Sequence, residues 1–323
     1  MSQISLSPFA NFSSAVPWGL WVGIYIWLVG ISAGSFLFVC WGSLTNNLLL
    51  KKITKLGILL SLSTLLAGLL SIQIDLGRIE RFYKLFTSPS LISVMAWMVW
   101  LYAVYFAILL VSLREFKKEI PKKSFSCFVF LFALAILVVE SLLFARPPGK
   151  HWHSPIFLLH FLTSSLVSAI ATIMFIAGIL CAKDKKTNLL SGLSNIALPL
   201  IIINFGIELV DILFLGGISH LGNLILLLCN IIIILLFVKK TPISITLGAV
   251  MASLVILFSK YVGLISAQIV EPFRGFAMAY IEPRLQFSYT PTVFEFLVGI
   301  FLMGLAASLF YILYRVFPLT REE

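Results

Sequence analysis

The sequence predicts an all-α, polytopic transmembrane helical protein. Three observations predict it: an apolar composition, long apolar runs without alternation, and basic residues gathered in every other connection. Of 323 residues, 60% are hydrophobic and 11% charged, with a mean hydropathy of +1.08. Soluble domains carry about 25% charged residues. The apolar content supplies roughly nine spans at the ~20 residues a bilayer-crossing helix requires. It excludes a water-soluble enzyme, a nucleic-acid-binding domain and a secreted disulfide scaffold.

Each element follows from an apolar run bounded by charge, Pro or Gly. The first, near 18–42, starts after Pro17, and the second, near 55–74, lies between Lys55 and Asp75. The third (91–113) runs from Pro89 to Arg114 and the fourth (124–145) from Lys123 to Arg146. Pro155 opens the fifth (156–181), and the sixth (189–215) runs to Gly216–Gly217. The seventh (220–238) stops at Lys239, the eighth (243–268) follows Pro242, and the ninth (291–317) ends before Pro318. Backbone groups in lipid must be satisfied internally, so these runs are helices. About nine spans, eight to ten, are expected.

Lys and Arg total 23 against 13 acids, a net charge of +10. Fifteen of the 23 lie in the odd-numbered connections or at the C-terminal end, seven on the other side, and Lys260 lies inside the eighth span. The positive-inside rule then places the N-terminus outside and the C-terminus in the cytoplasm. The first basic residue is Lys51, so the first span reads as a retained anchor, not a signal peptide. Cys40, Cys127, Cys181 and Cys229 lack metal or haem-attachment spacing. With His151, His153 and His220 outside clear span interiors and only His160 within one, a bis-His haem is not expected. The outer connections 75–90, 146–155 and 269–291 are long and rich in Pro and aromatics, and such loops tend to be functional.

The first helix has two faces. Gly19, Gly23, Gly30 and Gly34 fall within about 60° of one another at ~100° per residue, a stripe that lets another helix approach closely. Trp18, Trp21, Tyr25 and Ser32 share the opposite side. They form either an interfacial aromatic belt or a flat wall for a ring-shaped lipophilic ligand. Tyr25 lies about 10 Å below Trp18 along the axis, and a phenol at that depth needs a polar partner.

The segment Asp75-Leu76-Gly77-Arg78-Ile79-Glu80-Arg81-Phe82-Tyr83-Lys84 interleaves acids with bases where the second span ends. It is either an ion-paired cap on the bundle or a proton-exchanging site in which the Arg residues orient Asp75. Arg146, His151 and His153, in a Pro-rich outer loop, are either solvated or part of a docking surface. His160 reads as a packed, hydrogen-bonded histidine. Glu140, Glu208, Asp211 and Glu295 lie in the outer halves of their helices. Intramembrane acids are functional hypotheses by default, and these four are candidates for a proton relay. Lys260 either neutralises an acid or lines a water-filled half-channel.

PWGLWVGIYIWLVGISAGSF, DLGRIERFYKLFTSPSLISVMAW, ARPPGKHWHSPIFLLHFLTSSL and YTPTVFEFLVGIF followed by LYRVFP resemble the membrane subunits of the polysulfide reductase/nitrite reductase NrfD family, from about Trp18 to Pro318. Where this chain has Ile79 the family usually has Pro, and members often carry His in place of Tyr25. The resemblance implies a single integral membrane domain over 1–323, built as two four-helix bundles (about 18–181 and 189–317) plus a flanking helix. It implies a quinone-reactive subunit, with menaquinone or ubiquinone as substrate and no haem or iron–sulfur cluster of its own. The implied partners are an iron–sulfur subunit and a molybdopterin catalytic subunit or multihaem cytochrome, docked on the outer face of a prokaryotic cytoplasmic (inner) membrane. On matching positions, Tyr25 and Asp75 flank the quinone head group and exchange its protons. Trp18, Trp21, Arg78 and Arg81 shape the site, and Glu80, Arg146, His151 and His153 belong to the docking surface. Asp75→Asn is then expected to abolish quinol turnover in an assembled complex. Two alternatives stay open: a proton-coupled secondary transporter using Glu208, Asp211 and Lys260, and a purely structural anchor. Transporters usually show internal repeats and broken helices. The chain has no convincing repeat, and only Pro199 interrupts a span interior.

Overall fold

The computed structural model describes residues 17–75, 80, 82–88, 92–115, 123–145, 155–180, 183–215, 220–269 and 287–317. The described residues form helices α1 (Leu20–Thr45), α2 (Leu48–Lys52), α3 (Thr54–Asp75), α4 (Lys84–Thr87), α5 (Val94–Glu115) and α6 (Lys123–Ala145). They continue as α7 (Pro155–Leu180), α8 (Lys183–Leu215), α9 (His220–Val238), α10 (Pro242–Gln268) and α11 (Val293–Val316). Eight of these are long and apolar enough to cross a membrane. α9 is a shorter apolar helix, its apolar stretch running Gly222–Val238. The protein is an all-helical, multi-pass membrane protein with a helix at each of the nine expected spans. The connection at Gly216–Gly217 lies outside the described residues.

α1 is the central helix. Every residue from Leu20 to Cys40 is buried, as expected of a helix that is apolar on all sides. α3, α6, α7, α10 and α11 all pack on it. α5 and α6 complete a group with α1 and α3, while α7, α8, α9 and α10 pack on one another; α11 lies against α3 and α1. One core runs mainly through α1, α3, α5 and α6, and the other through α1, α3, α7, α8, α9, α10 and α11.

The predicted glycine stripe is what brings α7 and α10 onto α1. A Cβ on Gly34 would stand 2.7 Å from both the Ala169 Cβ and the Ser165 carbonyl oxygen. One on Gly30 would stand 2.8 Å from Ser165 Oγ and 3.2 Å from Lys260 Nζ. Small residues at such a crossing replace the hydrophobic drive that lipid cannot supply. α1 and α3 are also joined by serines. Ser32 Oγ donates to the Ser61 carbonyl (2.7 Å), and Ser61 Oγ donates to the carbonyl of Ser32 (2.8 Å) or Gly57 (2.7 Å).

The start of α1 is pinned to the end of α10 and the start of α11. Trp18 N–H donates to Gln268 Oε1 (3.0 Å), and Gln268 Nε2 donates to the Trp18 carbonyl (2.9 Å). Leu20 N–H donates to the Tyr289 hydroxyl (2.8 Å), which donates to Glu295 Oε1 (2.7 Å). Glu295 Oε2 accepts from Thr292 N–H (2.6 Å) and Thr292 Oγ1 from Glu295 N–H (3.2 Å), a reciprocal capping box for α11. Burial pushes the Tyr289 phenol up, and its hydrogen bond to Glu295 adds to this. At the opposite face, Ser43 of α1 and Ser126 of α6 meet at 2.9 Å. The helices thus alternate in direction, and the face at the start of α1 is where the site lies.

Candidate functional site

On that face α1, α3, α4, α5, α6 and the segment leading into α4 line an apolar cavity of about 270 Å³. Trp18, Val22 and Tyr25 come from α1 and its approach, Leu66, Leu69, Ile72 and Gln73 from α3, and Met98, Tyr102 and Phe106 from α5. Trp18 meets Phe144 of α6 edge-on at 5.4 Å. Phe82 packs edge-on against Phe86, and Phe86 against Trp100, each at 5.4 Å. The wall is apolar and aromatic with few polar groups, as in sites for flat hydrophobic ligands.

The polar feature is a pair of phenols. The Tyr25 and Tyr102 hydroxyls lie 2.6 Å apart, with either one donating, and the rings are nearly perpendicular. Both side chains are buried. Behind them Glu140 of α6 is completely buried, and neither carboxylate oxygen has a hydrogen-bond partner among the described residues. Both phenols approach it closely enough to act on it electrostatically, as does Lys260. A buried carboxyl without a fixed donor is costly, and in a membrane helix such a group marks a functional site by default.

Lys260 occupies the seam between the two helix groups. Its ammonium donates to Ser165 Oγ (3.0 Å) and stands 3.9 Å from the centre of the Phe161 ring, a cation–π contact. The absence of a side chain at Gly30 leaves the room it uses. Lys260 also lines a second cavity, of about 60 Å³, with His160, Glu208, Asp211 and Ser259. Glu208 is held there by Asn230 Nδ2 (2.9 Å) and Ser259 Oγ (2.9 Å). His160 is packed as expected, but its buried Nε2 has no hydrogen-bond partner among the described residues.

The structure separates the sequence-predicted residues into groups. Trp18 and Tyr25 line the main cavity. Trp21, a sixth of a turn further round α1, faces α11 instead: its indole donates to the Glu295 carbonyl (3.2 Å) and its ring meets Phe294 edge-on. Asp75 ends α3 and is half-buried. One of its oxygens has no hydrogen-bond partner among the described residues, and among them Glu295 acts on its charge. It lies two residues past Gln73, which lines the cavity as Asp75 does not. Both Glu295 carboxylate oxygens are taken up by the α11 cap and Tyr289. Glu208 and Asp211 meet in the second cavity. Glu80 is exposed, while Arg78, Arg81, Arg146, His151 and His153 lie outside the described residues.

Sequence reasoning missed Tyr102 and the facing of Glu140 by Lys260. The available signal for Tyr102 was its place in the middle of an apolar span, where a phenol demands a polar partner as Tyr25 does.

The family profile described as polysulphide reductase, NrfD, matches residues 9–272. A selenate reductase subunit from Mesobacillus selenatarsenatis is 24% identical in an alignment covering 99% of this chain and 89% of that protein. A putative dimethyl sulfoxide reductase membrane subunit from Halobacterium salinarum is 32% identical over 25% of this chain and 18% of its own length. The Hdr-like menaquinol oxidoreductase integral membrane subunit of Archaeoglobus fulgidus is 28% identical over 33% of this chain and 28% of its own length. The chain belongs to the polysulphide reductase NrfD family and is a multi-pass membrane subunit of an oxidoreductase complex.

Proposed function

We propose that this subunit exchanges electrons and protons with the quinone pool, and that the quinone head group occupies the cavity between Trp18, Tyr25 and Tyr102. The observation that carries the proposal is an apolar, aromatic-walled cavity whose main polar feature is a hydrogen-bonded phenol pair backed by the buried Glu140. A quinol oxidised there releases two electrons and two protons. The electrons pass to an iron–sulfur partner subunit, itself joined to a molybdopterin catalytic subunit or a multihaem cytochrome. One proton is relayed through the Tyr25–Tyr102 hydroxyls, each passing on its own proton as it receives another, to the Glu140 carboxylate. Asp75, at the membrane-surface end of α3, is a second proton acceptor on the face where the electrons leave. Glu208 and Asp211 extend the relay around the second cavity. Run in reverse, the same groups deliver protons to a quinone.

The menaquinol oxidoreductase membrane protein among its relatives supports a quinone substrate. The excess of basic residues in the odd-numbered connections supports an outside N-terminus, a cytoplasmic C-terminus and a site facing the outside of a prokaryotic cytoplasmic membrane. The test is Glu140→Gln, which keeps side-chain volume and removes the proton acceptor. Quinol oxidation by the purified complex should fall at least tenfold with every partner chain retained. Wild-type turnover in an assembled variant would refute the assignment.

A further inference from the structure

The cavity is too small for a whole prenylated quinone. Its volume of about 270 Å³ lies just under the ~300–1,000 Å³ of typical small-molecule sites, room for a ring system but not for a long isoprenoid chain. Resting on the quinone reading, we propose that the prenyl tail leaves sideways through the seam between α3 and α5, passing over Ala103. The burial of the lining residues selects that seam. Val22 and Tyr25 on α1, Met98 and Tyr102 on α5 and Phe144 on α6 are buried, and the half-buried Trp18 and Leu143 flank Phe144, so the other sides are more closed than this one. Leu66 and Leu69 on α3 and Val99 and Phe106 on α5 are half-exposed, and Ala103 between the latter two is exposed. Three lining residues on one stripe of α5 thus face outward, with the smallest side chain at the centre.

The height fits. Ala103 lies nine residues into α5, a helix of 22 residues. That is about 14 Å along a helix of roughly 33 Å, near the middle of the ~30 Å hydrocarbon layer. Nearer the membrane surface the seam is roofed by Phe82 and by Phe86, which stands edge-on to Trp100. The head group therefore sits at the height of the phenol pair and the tail emerges sideways beside it into the acyl chains, which dissolve it. The exposed walls here are apolar, as a prenyl chain requires.

The test compares a long-tailed menaquinone with tail-less menadione, both binding to the purified full-length protein in nanodiscs, followed by quenching of tryptophan fluorescence. In Ala103→Trp the Kd for the tailed quinone should rise at least tenfold and that for menadione stay within twofold. Ala103→Leu, a milder change that keeps helix propensity, should show the same order with a rise of at least threefold. Val104→Trp, on the neighbouring exposed position outside the cavity lining, should alter neither. Unchanged binding of the tailed quinone in both Ala103 variants, or an equal loss for both quinones, would overturn the lateral exit alone. A loss in Val104→Trp matching that in Ala103→Trp would overturn it too. A wild-type protein that binds neither quinone would overturn the quinone reading, and the exit with it.

Discussion

Tyr102→Phe isolates the chemistry of the phenol pair from its packing. The substitution deletes one oxygen and leaves the ring, so the perpendicular contact with Tyr25 persists. What is lost is the 2.6 Å hydroxyl contact. In membrane proteins such side-chain hydrogen bonds average about 0.6 kcal/mol and reach about 1.7. The abandoned Tyr25 hydroxyl has the buried Glu140 carboxyl beside it as an alternative partner, which holds the cost at the lower end. The stability loss should therefore be near about 0.6 kcal/mol, and assembly should survive it. The catalytic loss is of another size. A positioned acid–base group contributes about 10²- to 10⁴-fold, which at 1.36 kcal/mol per tenfold is roughly 3–5 kcal/mol. The rate effect should thus exceed the stability effect several times over.

The assay is steady-state quinol oxidation by the purified complex, alongside its thermal unfolding. A drop of at least a hundredfold with a Tm shift of only a few degrees is expected. Because the two phenols act as a unit, Tyr25→Phe combined with Tyr102→Phe should be barely worse than either alone. Turnover in Tyr102→Phe within threefold of wild type would refute the assignment of proton transfer to this pair. So would fully additive losses in the double variant.

Further expectations concern the frame around the site. Gly34→Val would drive side-chain atoms into Ala169 and the Ser165 backbone; overpacking of this kind costs about 1–3 kcal/mol, read as a lowered Tm of the detergent-solubilised protein. Lys260→Met leaves Glu140 buried without the cation that faces it. It also removes the donor to Ser165 Oγ, a bond worth about 0.6–1.7 kcal/mol in a membrane protein, so Tm should fall by a few degrees, and adding Glu140→Gln should recover part of that loss. Glu295→Ala removes the side-chain half of the capping box and the acceptor for Tyr289, while Thr292 Oγ1 keeps its backbone donor; each lost hydrogen bond is worth about 0.6–1.7 kcal/mol. It should expose the start of α11 to proteolysis while leaving quinone affinity within threefold.

The architecture was legible because lipid makes helix formation compulsory and because the apolar runs are long and cleanly bounded. The glycine stripe on α1 was legible for a related reason: its spacing repeats along one helix, so its face could be identified before its neighbours α7 and α10 were known. The site was only half legible. Tyr25 announced itself by depth, but its partner Tyr102 lies 77 residues away, and no local pattern specifies a contact between two different helices. Trp21 shares the side of α1 that holds Trp18 and Tyr25, yet a rotation of about 60° turns it onto α11. Helical periodicity places a residue on a side of its own helix and does not say which neighbour covers that side. Glu295 and Glu140 show the same limit. Both are buried acids near helix ends, but one is saturated by its cap and Tyr289 while the other has no hydrogen-bond partner among the described residues.

The central claim is that the quinone head group occupies the cavity between α1, α3, α5 and α6. Photo-crosslinking of the intact complex with an azido-naphthoquinone, followed by peptide mapping, tests it most directly. Labelling is predicted at cavity-lining residues such as Trp18, Phe86, Met98 and Tyr102, competed by menaquinone and reduced in Tyr102→Phe. Competed labelling confined to partner chains, or to helices α8 and α9 on the far side of this protein, would contradict it.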